Sequence, residues 1–145
     1  MPRGGQWPED LLDGGVQDVA TPEEILTSQA VDLTQKTKEL LRGKVEVGSH
    51  LQYIVIDFFI VAPALDWYEY RLFKARHKLR PQYPVELTVG ADRKIKATGP
   101  DELLRACSLI FSEQTTRHLV SELIALVKKR LEDDQARSGA GAEGQ

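Results

Sequence analysis

The hydrophobic period of this chain changes twice, and those two changes limit what it can fold into. Leu26, Ala30, Leu33, Thr37, Leu40 and Leu41 recur at helical spacing. From Lys44 to Ala97 the apolar residues alternate with polar ones instead, as strands require. After Thr98 the helical spacing returns, first through Leu103, Cys107, Ile110 and Phe111, then through Leu119, Val120, Leu123, Ile124, Val127 and Leu131. The pattern predicts one N-terminal helix, a block of strands and two C-terminal helices.

Local signals place the boundaries. Thr21-Pro22-Glu23-Glu24 combines a hydroxyl at the cap, proline at the first helical position and a carboxylate that can reach back to the cap. Arg42-Gly43 supplies a stop for that helix, Thr98 to Glu102 starts the second, and Ser112 is the expected cap of the third. Within the strand block, Val45 and Val47 alternate with Lys44 and Glu46, and Gly48-Ser49 offers a turn. Leu51 to Val61 is the longest β-rich run. It carries Ile54, Ile56, Phe58 and Ile60 on one face and Tyr53, Val55, Asp57, Phe59 and Val61 on the other, the mark of a central strand covered on both sides. Pro63 ends it.

The next strand, Trp67 to Ala75, is expected to set Tyr68, Tyr70 and Leu72 against Glu69, Arg71 and Phe73. Val85, Leu87 and Val89 then lead through Gly90-Ala91-Asp92 into a lysine-bearing edge, Arg93 to Ala97. Short connections between successive strands mean an antiparallel meander. The expected fold is therefore α+β: a four- to five-stranded antiparallel meander sheet, with one N-terminal helix and two C-terminal helices packed on it. Residues 1–20 read as a disordered acidic arm, 21–134 as the single domain, and 135–145 as a disordered tail.

Charge and cysteine usage narrow the function classes. The 145 residues carry a formal charge of −3 and one cysteine. An acidic chain is not a general nucleic-acid coat, and one thiol allows neither an internal disulfide nor a cysteine zinc cage. The expected setting is soluble and cytoplasmic, without membrane or cofactor.

Three features are candidates for chemistry. The segment 67–80 interleaves Trp67, Tyr68 and Tyr70 with Arg71, Lys74, Arg76, Lys78 and Arg80. Cations for phosphates and flat rings for bases are what single-stranded nucleic acid needs, although a solvated strand end has the same composition. Asp57 is a carboxylate in an apolar strand, a candidate buried acid. With Glu69 on the next strand it faintly resembles the acidic pair of restriction-type nucleases, but Arg71 stands where that pattern has a lysine and Ile56 precedes the Asp. His50, His77 and His118 have no metal-ligand spacing and read as surface residues, and Cys107 reads as an inert buried thiol.

The leading expectation is a non-enzymatic protein-interaction module that binds a protein partner or itself as a homodimer. The alternative is a nucleic-acid-associated protein using 67–80. A metal-dependent nuclease or hydrolase centred on Asp57 and Glu69 comes third.

Overall fold

The computed structural model describes residue 9 and residues 19–143, with side chains described as far as Arg137. The expected acidic arm lies almost wholly outside these residues. Its junction with the domain is held where the Tyr83 hydroxyl donates to the Ala20 carbonyl at 2.8 Å.

Helix α1 spans Pro22–Lys36 and begins as the sequence predicts. The Thr21 hydroxyl accepts from the Glu24 N–H, while the Thr21 N–H donates back to the Glu24 carboxylate, so two N-terminal donors are satisfied. That backbone hydrogen bond holds the Glu24 carboxyl below its ordinary pKa. The helix stops earlier than Arg42. Thr37 closes it, Lys38 and Glu39 turn through positive φ, and Arg42-Gly43 already belong to a strand.

The strands are β1 (Arg42–His50), β2 (Tyr53–Ala62), β3 (Tyr68–Lys78), β4 (Val85–Val89) and β5 (Arg93–Ala97), hydrogen-bonded in that order into one five-stranded sheet. Every pairing is antiparallel. A short 3-10 turn, Pro63–Leu65, links β2 to β3. Helix α2 runs Pro100–Ser112 and α3 runs Gln114–Glu143. Ser112 is the last residue of α2 and donates to the Leu109 carbonyl, so it does not cap α3. Helix α3 continues past Asp134, through Gln135 to Arg137, where good helix formers extend the ladder into solvent.

Three strand expectations are corrected. Gly48-Ser49 is not a turn: Gly48 lies opposite Val55 inside β1, and the hairpin closes two residues later at Leu51-Gln52. Both turn residues have positive φ, 50° and 69°, which a two-residue hairpin demands of whatever occupies it. The second correction is β2, which is next to the edge and lies under helices on one face only. The third is β3. A bulge opposite the Phe58/Phe59 step pairs Phe58 with Phe73 and Phe59 with Arg71, so Leu72 is the extra residue. Leu72 and Phe73 are consequently both buried, not on opposite faces.

The core lies between the sheet and the helices. Ile56, Phe58 and Ile60 of β2, Phe73 and Ala75 of β3, and Leu87 of β4 meet Leu26 of α1, Leu103 and Ile110 of α2, and Leu123 and Val127 of α3. Phe58 stacks on Phe73 at 5.1 Å between ring centroids, and Phe111 tilts against Phe58 at 5.6 Å.

Leu51 and Gln52 give the first prediction. A left-handed residue other than glycine or asparagine costs about 1–2 kcal/mol of backbone strain. The double substitution Leu51→Asn with Gln52→Gly should raise stability by about that amount, read as a higher urea midpoint with unchanged slope.

Candidate interaction surface

Directly opposed residues of an antiparallel sheet share a face, so register alone assigns the side that the helices leave uncovered. Five rows cross it. Arg42, Val61 and Glu69 make the first, and Lys44, Phe59 and Arg71 the second. Glu46, Asp57, Lys74, Thr88 and Lys94 make the third. Gly48, Val55, Arg76, Glu86 and Lys96 make the fourth, and His50, Tyr53 and Lys78 the fifth.

This face is basic on an acidic chain. It holds eight Lys and Arg residues (42, 44, 71, 74, 76, 78, 94, 96) against four carboxylates (46, 57, 69, 86), a balance of +4. Since the whole chain is −3, everything else totals −7. Part of the face is neutralised in place. Lys44 bridges Glu46 at 2.8 Å and Glu69 at 2.7 Å, and those hydrogen bonds raise its pKa. Arg71 reaches Asp57 at 3.5 Å and Lys94 reaches Glu86 at 3.6 Å. Among the described residues, Lys74, Lys78 and Lys96 have no carboxylate within 4.0 Å.

The aromatic content of the face comes from β2. The Arg76 guanidinium lies 3.9 Å from the Tyr53 ring centroid, and the Lys44 ammonium 5.4 Å from that of Phe59. Long cationic side chains thus cover the apolar residues that made β2 look like a doubly buried strand.

The segment 67–80 is split by this geometry. Arg71, Lys74, Arg76 and Lys78 stand on the open face, but Tyr68 and Tyr70 lie opposite Ala62 and Ile60, on the helix side. Trp67 sits in the β2–β3 turn, 61% exposed, with Arg42 5.9 Å from its ring. Arg80 is exposed in the loop after β3. Strand alternation therefore separates the cations from the aromatics they adjoin in sequence. Of that segment only Trp67 meets a cation of the face, Arg42; the other two rings that do so, Tyr53 and Phe59, were signalled only by their alternation with Ile54 and Ile60.

Asp57 is half-buried and paired with Arg71, on the open face rather than in the core. Glu69 lies opposite Val61, four residues along β2 from Asp57, or about 13 Å at strand rise. The two carboxylates are not brought together, and Lys44 already occupies Glu69. Among the described residues no group of three or more His, Cys, Asp or Glu side chains could hold a metal ion.

The histidines divide. His50 and His118 are exposed, the latter 3.6 Å from Glu122 one helical turn away. His77 is not on the surface: it is 5% exposed, opposite Ile54 on the core side, and its Nδ1–H donates to the Lys78 carbonyl at 2.7 Å. Cys107 is buried, and desolvation pushes its thiol pKa up to about 12. At pH 8 its thiolate population should fall about a thousandfold below that of the same cysteine in the unfolded chain. Labelling by a thiol reagent should therefore run at the rate of fold opening and become fast in denaturant.

On the helix side, a cleft of about 490 Å³ opens between α1 and α3, with Leu33, Leu72 and Val120 among its walls and Asp32, Lys36 and Arg117 at its rim. No described helix is long and apolar enough to cross a membrane. Compared with protein-family models, curated proteins and solved structures, the chain matches none.

Proposed function

We propose that this chain is a non-enzymatic, cytoplasmic protein-interaction module, working as a homodimer and holding an acidic protein partner on its open sheet face. The observation that carries the reading is the +4 balance of a face uncovered by the described helices, on a chain that is −3 overall. Such asymmetry draws a negatively charged partner and orients it before contact. A single buried thiol suits a reducing compartment.

A protein partner fits this face better than nucleic acid does. Glu46, Asp57, Glu69 and Glu86 are spread among the cations and would repel a phosphate backbone, whereas a protein of mixed charge can pair with both signs. Base stacking needs free rings, and both Tyr53 and Phe59 are covered by cations.

The test is capture from native cells with and without nuclease, using the chain and its variant Lys74→Glu, Lys78→Glu, Lys96→Glu. These three side chains make no ion pair among the described residues, so their reversal should leave the fold intact. The expected result is a protein that survives nuclease, weakens with added salt and is lost with the variant. Retention by the variant would remove the open face from the function. Material that disappears with nuclease would transfer the function to nucleic acid.

A further inference from the structure

We propose that β1 is the seam of a homodimer in which two copies join edge to edge, antiparallel, with Val45 opposite Val45 of the second copy. This gives the dimer of the proposed function its interface, at the edge of the sheet whose open face holds the partner.

The two edges of the sheet are treated unequally. The far edge, β5, has five residues, carries Lys94 and Lys96, and has α2 packed beside it, all of which discourage strand addition. The near edge, β1, has nine residues and no proline. It too carries charged residues and α1 crosses it at Gly43, but beyond that crossing it leaves a longer template for another strand than β5 does.

Its free hydrogen-bonding groups follow from the hairpin. A two-residue loop makes His50 and Tyr53 the closing hydrogen-bonded pair, so residues 48, 46, 44 and 42 also turn their N–H and C=O groups toward β2. Gly43, Val45, Val47 and Ser49 turn theirs outward. The Gly43 N–H is met by the Thr34 hydroxyl of α1 at 3.0 Å, in keeping with this phase. No described side chain meets the outward groups of Val45, Val47 or Ser49.

Charge selects the register. A two-fold axis at Glu46 would set two carboxylates against each other, and one at Lys44 two ammonium groups. An axis at Val47 would put Lys44 against His50. With the axis at Val45, Lys44 of each copy faces Glu46 of the other, and Gly43 faces Val47. An axis at Lys44 would also set Arg42 against Glu46, so what distinguishes Val45 among the four is that it pairs opposite charges with no like charges between them.

The layer above the seam also fits. Val31 of α1 and Val47 of β1 are 49% and 44% exposed on the helix side, and Val31 lines a groove of about 590 Å³ with Gly43 and Val45 of β1. The α1 face over this groove is Thr27, Ala30, Val31 and Thr34, short side chains that let a second α1 approach closely, with Gln35 at its C-terminal end. Joining the sheets would carry ten strands across the dyad and cover both valines with their counterparts.

The test uses the full chain, its two single variants Glu46→Lys and Lys44→Glu, and a mixture of the two. Sedimentation at micromolar concentration should give the unaltered chain a mass near twice 16.3 kDa. Each variant alone places like charges across the seam at two points and should weaken the dimer about tenfold or more. The mixture restores both opposite pairs and should recover a dimer of one copy of each, which misfolded variants could not do. Val47→Pro, whose lost N–H serves nothing within the monomer, should keep the circular dichroism spectrum and abolish the dimer. A monomeric unaltered chain, a dimer insensitive to Val47→Pro, or a mixture that fails to pair would each overturn the proposal. Val47→Pro alters no side chain of the open face, so its effect on the dimer is read separately from partner capture, which Lys74, Lys78 and Lys96 report.

Discussion

Gly43→Ala should destabilise this protein by about 3 kcal/mol or prevent its folding, because overpacking at a site that cannot relax lies at the upper end of such costs. A Cβ built at Gly43 would stand 2.4 Å from Ala30 Cα, 2.5 Å from the Ala30 carbonyl oxygen and 2.7 Å from Ala30 Cβ. Two of those three atoms are backbone, so no side-chain rotation clears them. Helix α1 would have to lift from β1. Doing so would break the Thr34 hydroxyl contact to the Gly43 N–H and loosen the contacts of Leu26 and Ala30 in the core. Ala30→Gly should not rescue the variant, since both backbone contacts remain. Gly48→Ala is the control: nothing lies within 4 Å of its Cβ, and in a strand the alanine should be neutral or stabilising by a few tenths of a kcal/mol. Urea denaturation of the three variants separates these outcomes.

Phe58→Ala should cost about 4 kcal/mol, the usual range for deleting a fully buried ring being roughly 3–5 kcal/mol. Phe58 is 1% exposed at the centre of the core. Its ring is parallel to Phe73 within 10° and touches Phe111, so the substitution removes two aromatic contacts and leaves a hole between sheet and helices. Phe59→Ala, one residue along the same strand, should cost only about 1–2 kcal/mol, since a half-buried ring loses less apolar contact. Phe59 lies on the open face under the Lys44 ammonium. Equal costs at the two positions would refute the face assignment on which the +4 surface depends. Thermal or chemical unfolding of both variants decides the matter.

How much of this was legible in the sequence differs from element to element. The start of α1 was written in Thr21-Pro22-Glu23-Glu24, and the structure forms both reciprocal hydrogen bonds of that box. The turn at Gly90-Ala91-Asp92 and the lysine-bearing edge β5 appear where local chemistry placed them. The helical stripes of α2 and α3 were legible for the same reason: Leu103, Cys107, Ile110, Leu123 and Val127 are buried as their spacing required. Gly48-Ser49 misled because the residues favour a turn, while Val45 and Val47 pairing with Phe58 and Ile56 reward a longer strand. Gly43 misled in the opposite way. It reads as a helix stop, but its lack of a side chain serves a close approach of α1 to β1.

The candidate surface was less legible than the fold. The cations Arg71, Lys74, Arg76 and Lys78 stood out in sequence, and they share the open face. Their apparent aromatic companions, Tyr68 and Tyr70, lie on the other side, and Tyr53 and Phe59 take their place. Nothing local announces the bulge at Leu72, because a two-against-one pairing belongs to two strands at once.

The sequence by itself determined the elements, their order and the apolar faces of the three helices, because capping, turn chemistry and periodicity act within a few residues. Tertiary structure alone decided the register, the side of the sheet that the helices cover, and hence which charges stand together. Those depend on pairings between residues as far apart as Glu46, Lys74 and Lys94, which no local preference encodes.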